Sequence, residues 1–420
     1  MEFNTLNLHA HIAAGIKAAG YTVQTPIQAL AIPPALRKQD VMGLAQTGTG
    51  KTAAFVLPIL QHLIKGQRGA VRALIISPTR ELAEQTHQTI RTLGCKTGLR
   101  CVTIYGGVNI NPQIKKLRAG VEIVVACPGR LLDHINRRTI NLSNIEALVL
   151  DEADRMLDMG FLPDIKKIIS HIPSSRQTLL FSATMPGGIR KLTNDILRDP
   201  VTAQVDHSAP AKTVAHALYP VDQTLKTGLL LKLLGNTDTE SVLVFTRTKS
   251  RARRVGEHLG KAGYRAASLQ GNLSQNKRQE ALKGFRDGRY QVLVATDIAA
   301  RGIDVSCISH VINFDMPDTA DAYTHRIGRT GRAAKTGDAF TFITREDEPM
   351  VRSIERVLGE TVERRTLEGF DYKKIAPSCN TGAARTPRRP QRRRENKIKT
   401  MAWTNVAATR SHKTGGAIYK

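Results

Sequence analysis

The sequence predicts an α/β chain of two tandem units, each a mainly parallel sheet flanked by helices, followed by a basic tail. Three observations predict it. Short apolar runs alternate with amphipathic stretches along most of the 420 residues. A glycine-rich turn, Ala45-Gln46-Thr47-Gly48-Thr49-Gly50-Lys51-Thr52, follows one such run and opens a helical pattern. A polar, proline-bearing stretch at 206–212 falls midway, where the rhythm starts again.

In the first half, strands are expected at 41–45, 73–77, 100–105, 122–126, 147–150 and 178–181. In the second half they are expected at 241–245, 265–269, 291–295, 310–314 and 339–343. Amphipathic stretches such as 81–93, 250–262 and 277–285 lie between them and supply the crossovers that parallel strands need. The boundaries that follow are 1–205 for the first unit, 206–214 for a linker, 215–365 for the second unit and 366–420 for the tail.

The glycine-rich turn is the strongest local signal. Gly48 and Gly50 let backbone N–H groups converge on phosphate oxygens, and the helix that follows adds positive partial charge. Lys51 would reach the outer phosphates, and Thr52 would offer a hydroxyl to Mg²⁺. The first position of the pattern is Ala45 rather than glycine. Upstream, Gln28 carries a donor and an acceptor that match adenine N6 and N7, and Tyr21 offers a stacking surface.

Downstream, strand ends carry the remaining candidates, at the edge where open α/β sheets bind ligands. Thr79 and Arg80 follow one strand; Arg80 would hold a backbone phosphate or pair with Glu84. Gly106-Gly107 and Cys127-Pro128-Gly129-Arg130 occupy similar positions. Leu148-Val149-Leu150-Asp151-Glu152 delivers two adjacent carboxylates. Asp151 suits a Mg²⁺ partner, and Glu152 suits a base for the attacking water. Ser182-Ala183-Thr184 ends the next strand. In the second half, His325-Arg326-Ile327-Gly328-Arg329-Thr330-Gly331-Arg332 gathers cations suited to a γ-phosphate approached from an opposing face.

Composition adds a partner class. Lys and Arg number 62 against 36 Asp and Glu, a net charge of +26, which favours a polyanion such as nucleic acid. The five cysteines form no C-x-x-C pair, so neither a disulfide framework nor a zinc site is implied and a reducing cytoplasm is expected. No signal-peptide pattern opens the chain, and no apolar run approaches the roughly 20 residues of a membrane span. From Arg385 onward eleven basic residues meet one acid, Glu395; such a tail is expected to be disordered and to tether a nucleic acid electrostatically.

Taken together, these motifs resemble those of DEAD-box RNA helicases, most nearly the bacterial RhlE-like group, over roughly residues 1–365. In that family the phosphate loop normally begins with alanine. The resemblance implies two RecA-like domains closing around ATP, Mg²⁺ and single-stranded RNA. It places Phe3, Tyr21 and Gln28 around adenine, and Gly48, Gly50, Lys51 and Thr52 on phosphates and Mg²⁺. Asp151 and Glu152 serve hydrolysis, and Ser182 and Thr184 couple it to unwinding. Gly302 and Asp304 approach the ribose, and Arg329 and Arg332 are arginine fingers. Arg80, Gly107, Arg130, Gly271 and Thr296 match RNA-backbone positions. Three residues depart from the family pattern: Gln24 for proline, Cys127 for threonine and Gln270 for histidine. Ribonucleoprotein or ribosome-assembly factors are candidate protein partners. A DNA-directed superfamily 2 translocase and a non-catalytic RNA clamp or annealing factor stay as alternatives.

Overall fold

The computed structural model describes residues 2–46, 48–205, 214–237, 240–300, 308–331 and 337–373. Residues 206–213 of the expected 206–214 linker and the tail from 374 lie outside them, and Val214 opens a strand of the second lobe.

The first lobe runs α1 (Ala10–Ala18), α2 (Pro26–Leu36), β1 (Val41–Leu44), α3 (Lys51–Leu63), β2 (Ala73–Ile76), α4 (Arg80–Leu93) and β3 (Cys101–Ile104). It continues through α5 (Asn111–Arg118), β4 (Ile123–Ala126), α6 (Pro128–Asn136), β5 (Ala147–Leu150), α7 (Ala153–Asp158) and α8 (Leu162–Ile169). It ends with β6 (Gln177–Ser182), α9 (Gly187–Ile196) and β7 (Val201–Gln204). Its seven strands lie in the order β3-β4-β2-β5-β6-β1-β7, and every pairing is parallel.

The second lobe repeats the plan. It begins with β8 (Val214–Pro220), α10 (Lys226–Asn236), β9 (Val242–Phe245), α11 (Lys249–Lys261) and β10 (Ala266–Leu269). Then come α12 (Gln275–Arg286), β11 (Val292–Ala295), α13 (Asp297–Ala300), β12 (His310–Asn313) and α14 (Ala320–Ile327). It finishes with β13 (Gly337–Ile343), α15 (Glu348–Leu358) and β14 (Glu363–Arg364). The strand order is β10-β11-β9-β12-β13-β8-β14, again all parallel.

Burial follows from that architecture. Helices cover both faces of a parallel sheet, so its central strands are apolar throughout rather than alternating. In the first lobe Ile75, Val125, Val149, Leu179 and Phe181 pack into a core on one face. Their neighbours Ile76, Val124, Leu148 and Leu180 pack into a second core on the other. Residues 366–373, counted with the tail in the sequence reading, still belong to the second lobe. A Cβ on Gly228 of α10 would meet the Phe370 ring at 3.5 Å, and one on Gly369 would meet the Lys232 ammonium at 3.8 Å.

Strand order decides what meets at the carboxyl edge of the first sheet. The neighbours β5-β6-β1 set Asp151-Glu152, Ser182-Ala183-Thr184 and the glycine-rich turn side by side. The neighbours β3-β4-β2 do the same for Gly107, Arg130 and Arg80. Among the described residues no helix is long and apolar enough to cross a membrane.

Candidate functional site

The glycine-rich turn leads from β1 into α3 as expected. Gly50 caps α3 with φ of +92°, the left-handed region. A Cβ there would also press into the Gln28 amide, so both backbone and space require glycine. Lys51 is buried, and its ammonium donates to the Ala45 carbonyl at 2.7 Å. Thr52 is half-buried beside it. The Gln28 amide is engaged twice: its Oε1 accepts from the Thr25 N–H at 2.9 Å, and its Nε2 donates to the Gly50 carbonyl at 3.1 Å. The amide read as a base contact thus also ties that segment to the phosphate loop. Tyr21 is 39% exposed, with its ring 6.0 Å from that of buried Phe3.

Asp151 and Glu152 are buried at the end of β5. Burial first, and the neighbouring Glu152 carboxylate second, push the Asp151 carboxyl well above the usual range, against the pull of Lys51. Glu152 has left-handed φ and ψ of 54° and 53°, rare for a side-chain-bearing residue. Arg155 donates to Glu152 Oε2 at 2.6 Å. Asp154 reaches the next strand end: its Oδ2 accepts from the Ala183 and Thr184 N–H groups at 3.1 and 2.9 Å and from the Thr184 hydroxyl at 3.2 Å. Its own N–H donates to the Ser182 hydroxyl, which donates to the Thr184 carbonyl. Burial works to raise the Asp154 carboxyl, but Lys51, His325 and Arg155 outweigh it and hold it below its ordinary value.

That His325 influence comes from the second lobe, whose α14 lies against this edge. Burial lowers the His325 pKa, and nearby Arg155 lowers it further, so the ring is neutral at pH 7. Arg329 is buried just beyond α14 and acts on the same histidine. Arg326 is structural: it grips both oxygens of Asp297 at 2.6 Å and donates to Asn313 and to the Asp315 carbonyl. Gly302, Asp304 and Arg332 lie outside the described residues.

The other half of the edge also faces the second lobe. Arg80 donates to Gln275 Oε1 at 2.9 Å, and Arg278 grips Glu81 through Nε at 3.0 Å and Nη2 at 2.7 Å. The alternative Arg80–Glu84 pair does not form, since Glu84 instead accepts from the Thr103 hydroxyl and faces His87. A Cβ on Gly107 would run into the Arg80 guanidinium. Arg130 donates to the Val108 carbonyl at 3.1 Å. In the second lobe, Thr296 is buried at the end of β11 and Gly271 is exposed just past β10. The departing residue Gln270 caps its own turn by accepting from the Asn272 N–H at 2.6 Å.

Sequence reasoning missed Asp154 as a clamp, Arg155 as the partner of Glu152, and Arg278–Glu81 as a bridge between lobes. Only the first had a visible signal, a third carboxylate within four residues. The DEAD/DEAH box helicase profile matches residues 25–192, and that of the helicase conserved C-terminal domain matches 225–334. Over 365 residues the chain is 44% identical to the DEAD-box ATP-dependent RNA helicase CshA of Bacillus subtilis, covering 87% of this chain and 74% of that protein. The chain belongs to the DEAD/DEAH box helicase family.

CshA of Geobacillus kaustophilus is likewise 44% identical, over 86% of this chain and 78% of that one. Among solved structures, the DEAD-box helicase Mss116 bound to single-stranded RNA and UDP-BeF matches with a TM-score of 0.80 at 28% identity. That match covers 88% of this chain and 81% of that one. Dbp5 of S. cerevisiae bound to RNA and ADP BeF3 matches at 0.77 and 29%, covering 87% and 95%.

Within the DEAD/DEAH family pattern, Cys127 is informative. It caps α6 without any side-chain hydrogen bond, whereas Thr79 at the matching position of α4 accepts from the Leu82 N–H. Burial pushes its thiol far up, so it stays a neutral thiol at pH 7. Cys127→Thr is expected to raise stability by about 1 kcal/mol through the new cap. It should also tighten RNA binding. Thermal unfolding and RNA titration of the variant check both.

Proposed function

We propose that this DEAD-box protein is an ATP-dependent RNA helicase that hydrolyses ATP as its lobes close on single-stranded RNA, separating short duplexes without reading sequence. The observation that carries this is the doubly occupied edge of the first sheet. Its β5-β6-β1 half faces His325, which Arg329 influences in turn, and its β3-β4-β2 half is bridged to α12.

In this reading Gly48, Gly50, Lys51 and Thr52 cradle the phosphates, and Tyr21 and Gln28 receive the adenine. Glu152 takes the proton of the attacking water, its carboxylate oriented by Arg155. Arg329 and Arg332 supply positive charge to the γ-phosphate, Gly302 and Asp304 approach the ribose, and Asp154 carries the change to Ser182 and Thr184. Arg80, Gly107, Arg130, Gly271 and Thr296 hold RNA phosphates and sugars.

Mg²⁺ fits this donor set. The Asp151 carboxyl is raised partly by Glu152, so a cation relieves their mutual repulsion. An ion that keeps waters and phosphate oxygens needs only one or two protein donors, which a hydroxyl and a carboxylate supply. Held by Thr52 and Asp151, it would neutralise charge on the β- and γ-phosphates.

Neither ligand's contacts are complete until the lobes meet, so each favours the closed form and strengthens binding of the other. The test is ATPase activity with and without single-stranded RNA at low salt. Several-fold stimulation is expected; none would sink the reading, and equal stimulation by single-stranded DNA would favour a DNA-directed translocase. The proposal extends to a first domain at 1–205, a linker within 206–214 and a second domain that takes in 215–365 and the 366–373 stretch packed on it, to a cytoplasmic site of action and to the RhlE-like subgroup. The basic tail acts as an electrostatic tether. Truncation after Pro377 is expected to weaken RNA affinity and flatten its salt dependence, measured as the slope of log affinity against log salt.

A further inference from the structure

Gln24 stands where the family pattern has proline, and nothing above uses it. The residue is 6% exposed. Its Nε2 donates to the Glu2 carbonyl at 2.7 Å, across 22 positions of chain. Glu2 also forms an antiparallel bridge with Val23 and precedes the 3₁₀ turn Phe3–Leu6. That turn places the Phe3 ring 6.0 Å from Tyr21 at an interplanar angle of 33°. The segment is therefore held at two ends: to the amino-terminal turn by Gln24, and to the phosphate loop by Gln28 through Gly50.

Proline could make no such bond, because it has no side-chain donor. The arrangement is also costly. Gln24 Oε1 is buried without a hydrogen-bond partner among the described residues. A buried amide oxygen in that condition normally turns to water or to a donor. Here the orientation is set by the Nε2 bond to Glu2, which is what a side chain selected for that tie would show.

We propose that Gln24 is a positioning residue for the nucleotide base. It staples the amino-terminal turn in place, so that the Phe3–Tyr21 pair is ordered before the base docks. This rests on the reading of Tyr21 and Gln28 as the base site. Without the staple, residues 2–6 are ordered only on binding, and that entropy loss weakens the nucleotide's affinity while the chemistry at Glu152 is unaltered.

The experiment is a double-mutant cycle on RNA-stimulated ATPase with Gln24→Ala, Phe3→Ala and the pair. Gln24→Ala is expected to raise KM for ATP about three- to tenfold with the change confined to KM, and the double variant should rise no further than Phe3→Ala alone. An unchanged KM for Gln24→Ala, or fully additive effects, would overturn the staple. If Gln24→Ala loses its cooperative melting transition, Gln24→Met replaces it. That side chain has nearly the same size but no hydrogen-bond donor, and the same two outcomes decide. A parent chain without RNA-stimulated ATPase defeats the helicase reading itself, whereas an active parent with an indifferent Gln24 defeats only this proposal.

Discussion

Glu152→Gln is expected to lower RNA-stimulated ATP turnover by roughly 10²- to 10⁴-fold, the range for removing a general base, while ATP and RNA still bind. The amide keeps the size of the carboxyl and can still accept from Arg155, which now bonds Oε2 at 2.6 Å. It cannot take a proton from water. The left-handed backbone at Glu152 is unaffected by this exchange, so the turn after β5 should survive. Two measurements separate binding from chemistry: phosphate release, and anisotropy of a labelled RNA with a non-hydrolysable ATP analogue. Turnover within threefold of the parent would remove Glu152 from its role and favour a non-catalytic clamp.

The second large effect is expected at the bridge between lobes. Glu81 and Arg278 keep only 11% and 12% of their side-chain surface exposed, so the pair is largely desolvated. Glu81→Arg sets two cations against each other at that point and opposes closure. Breaking a buried charge pair typically costs about 2–5 kcal/mol. At the lower limit, RNA affinity in the presence of an ATP analogue should fall roughly 30-fold, since about 1.4 kcal/mol is a factor of ten. Affinity without nucleotide should change much less. Exchanging the residues, Glu81→Arg with Arg278→Glu, should restore most of the loss. Failure of the exchange to restore anything would show that these side chains act separately, not as a bridge.

The parts of the fold and site that were legible in the sequence share one physical property: they announce themselves within a few residues. Strands buried on both faces, such as β2 and β5, are apolar at every position and stand out at once. The phosphate loop and the carboxylates at 151 and 152 are contiguous. Three strands were not legible: β7 and β14, each at one edge of its sheet, and β8 beside β14. In β7, Val201-Thr202-Ala203-Gln204, only Ala203 is buried, and β14 is two exposed residues. β8 carries His216 within it and ends on Pro220, so its pairing with β13 leaves a mixed pattern. The relations that organise the site were hidden for the same reason. Asp154 meets Thr184 thirty positions away, and Glu81 meets Arg278 across 197. Side chains whose partners are so distant look like ordinary polar residues of a helix start.

The position of β1 also bears on how the chain is made. It lies between β6 and β7, and Asp40 just before it accepts from the Thr178 N–H, 138 positions later. The strand that launches the phosphate loop therefore has no neighbour until most of the first lobe has been synthesised. At about 5–20 residues per second, it waits on the order of 10 s as an unpaired apolar segment emerging from the ribosome. Conditions that slow translation between those two stretches should lengthen this exposure and increase capture of the nascent protein by chaperones.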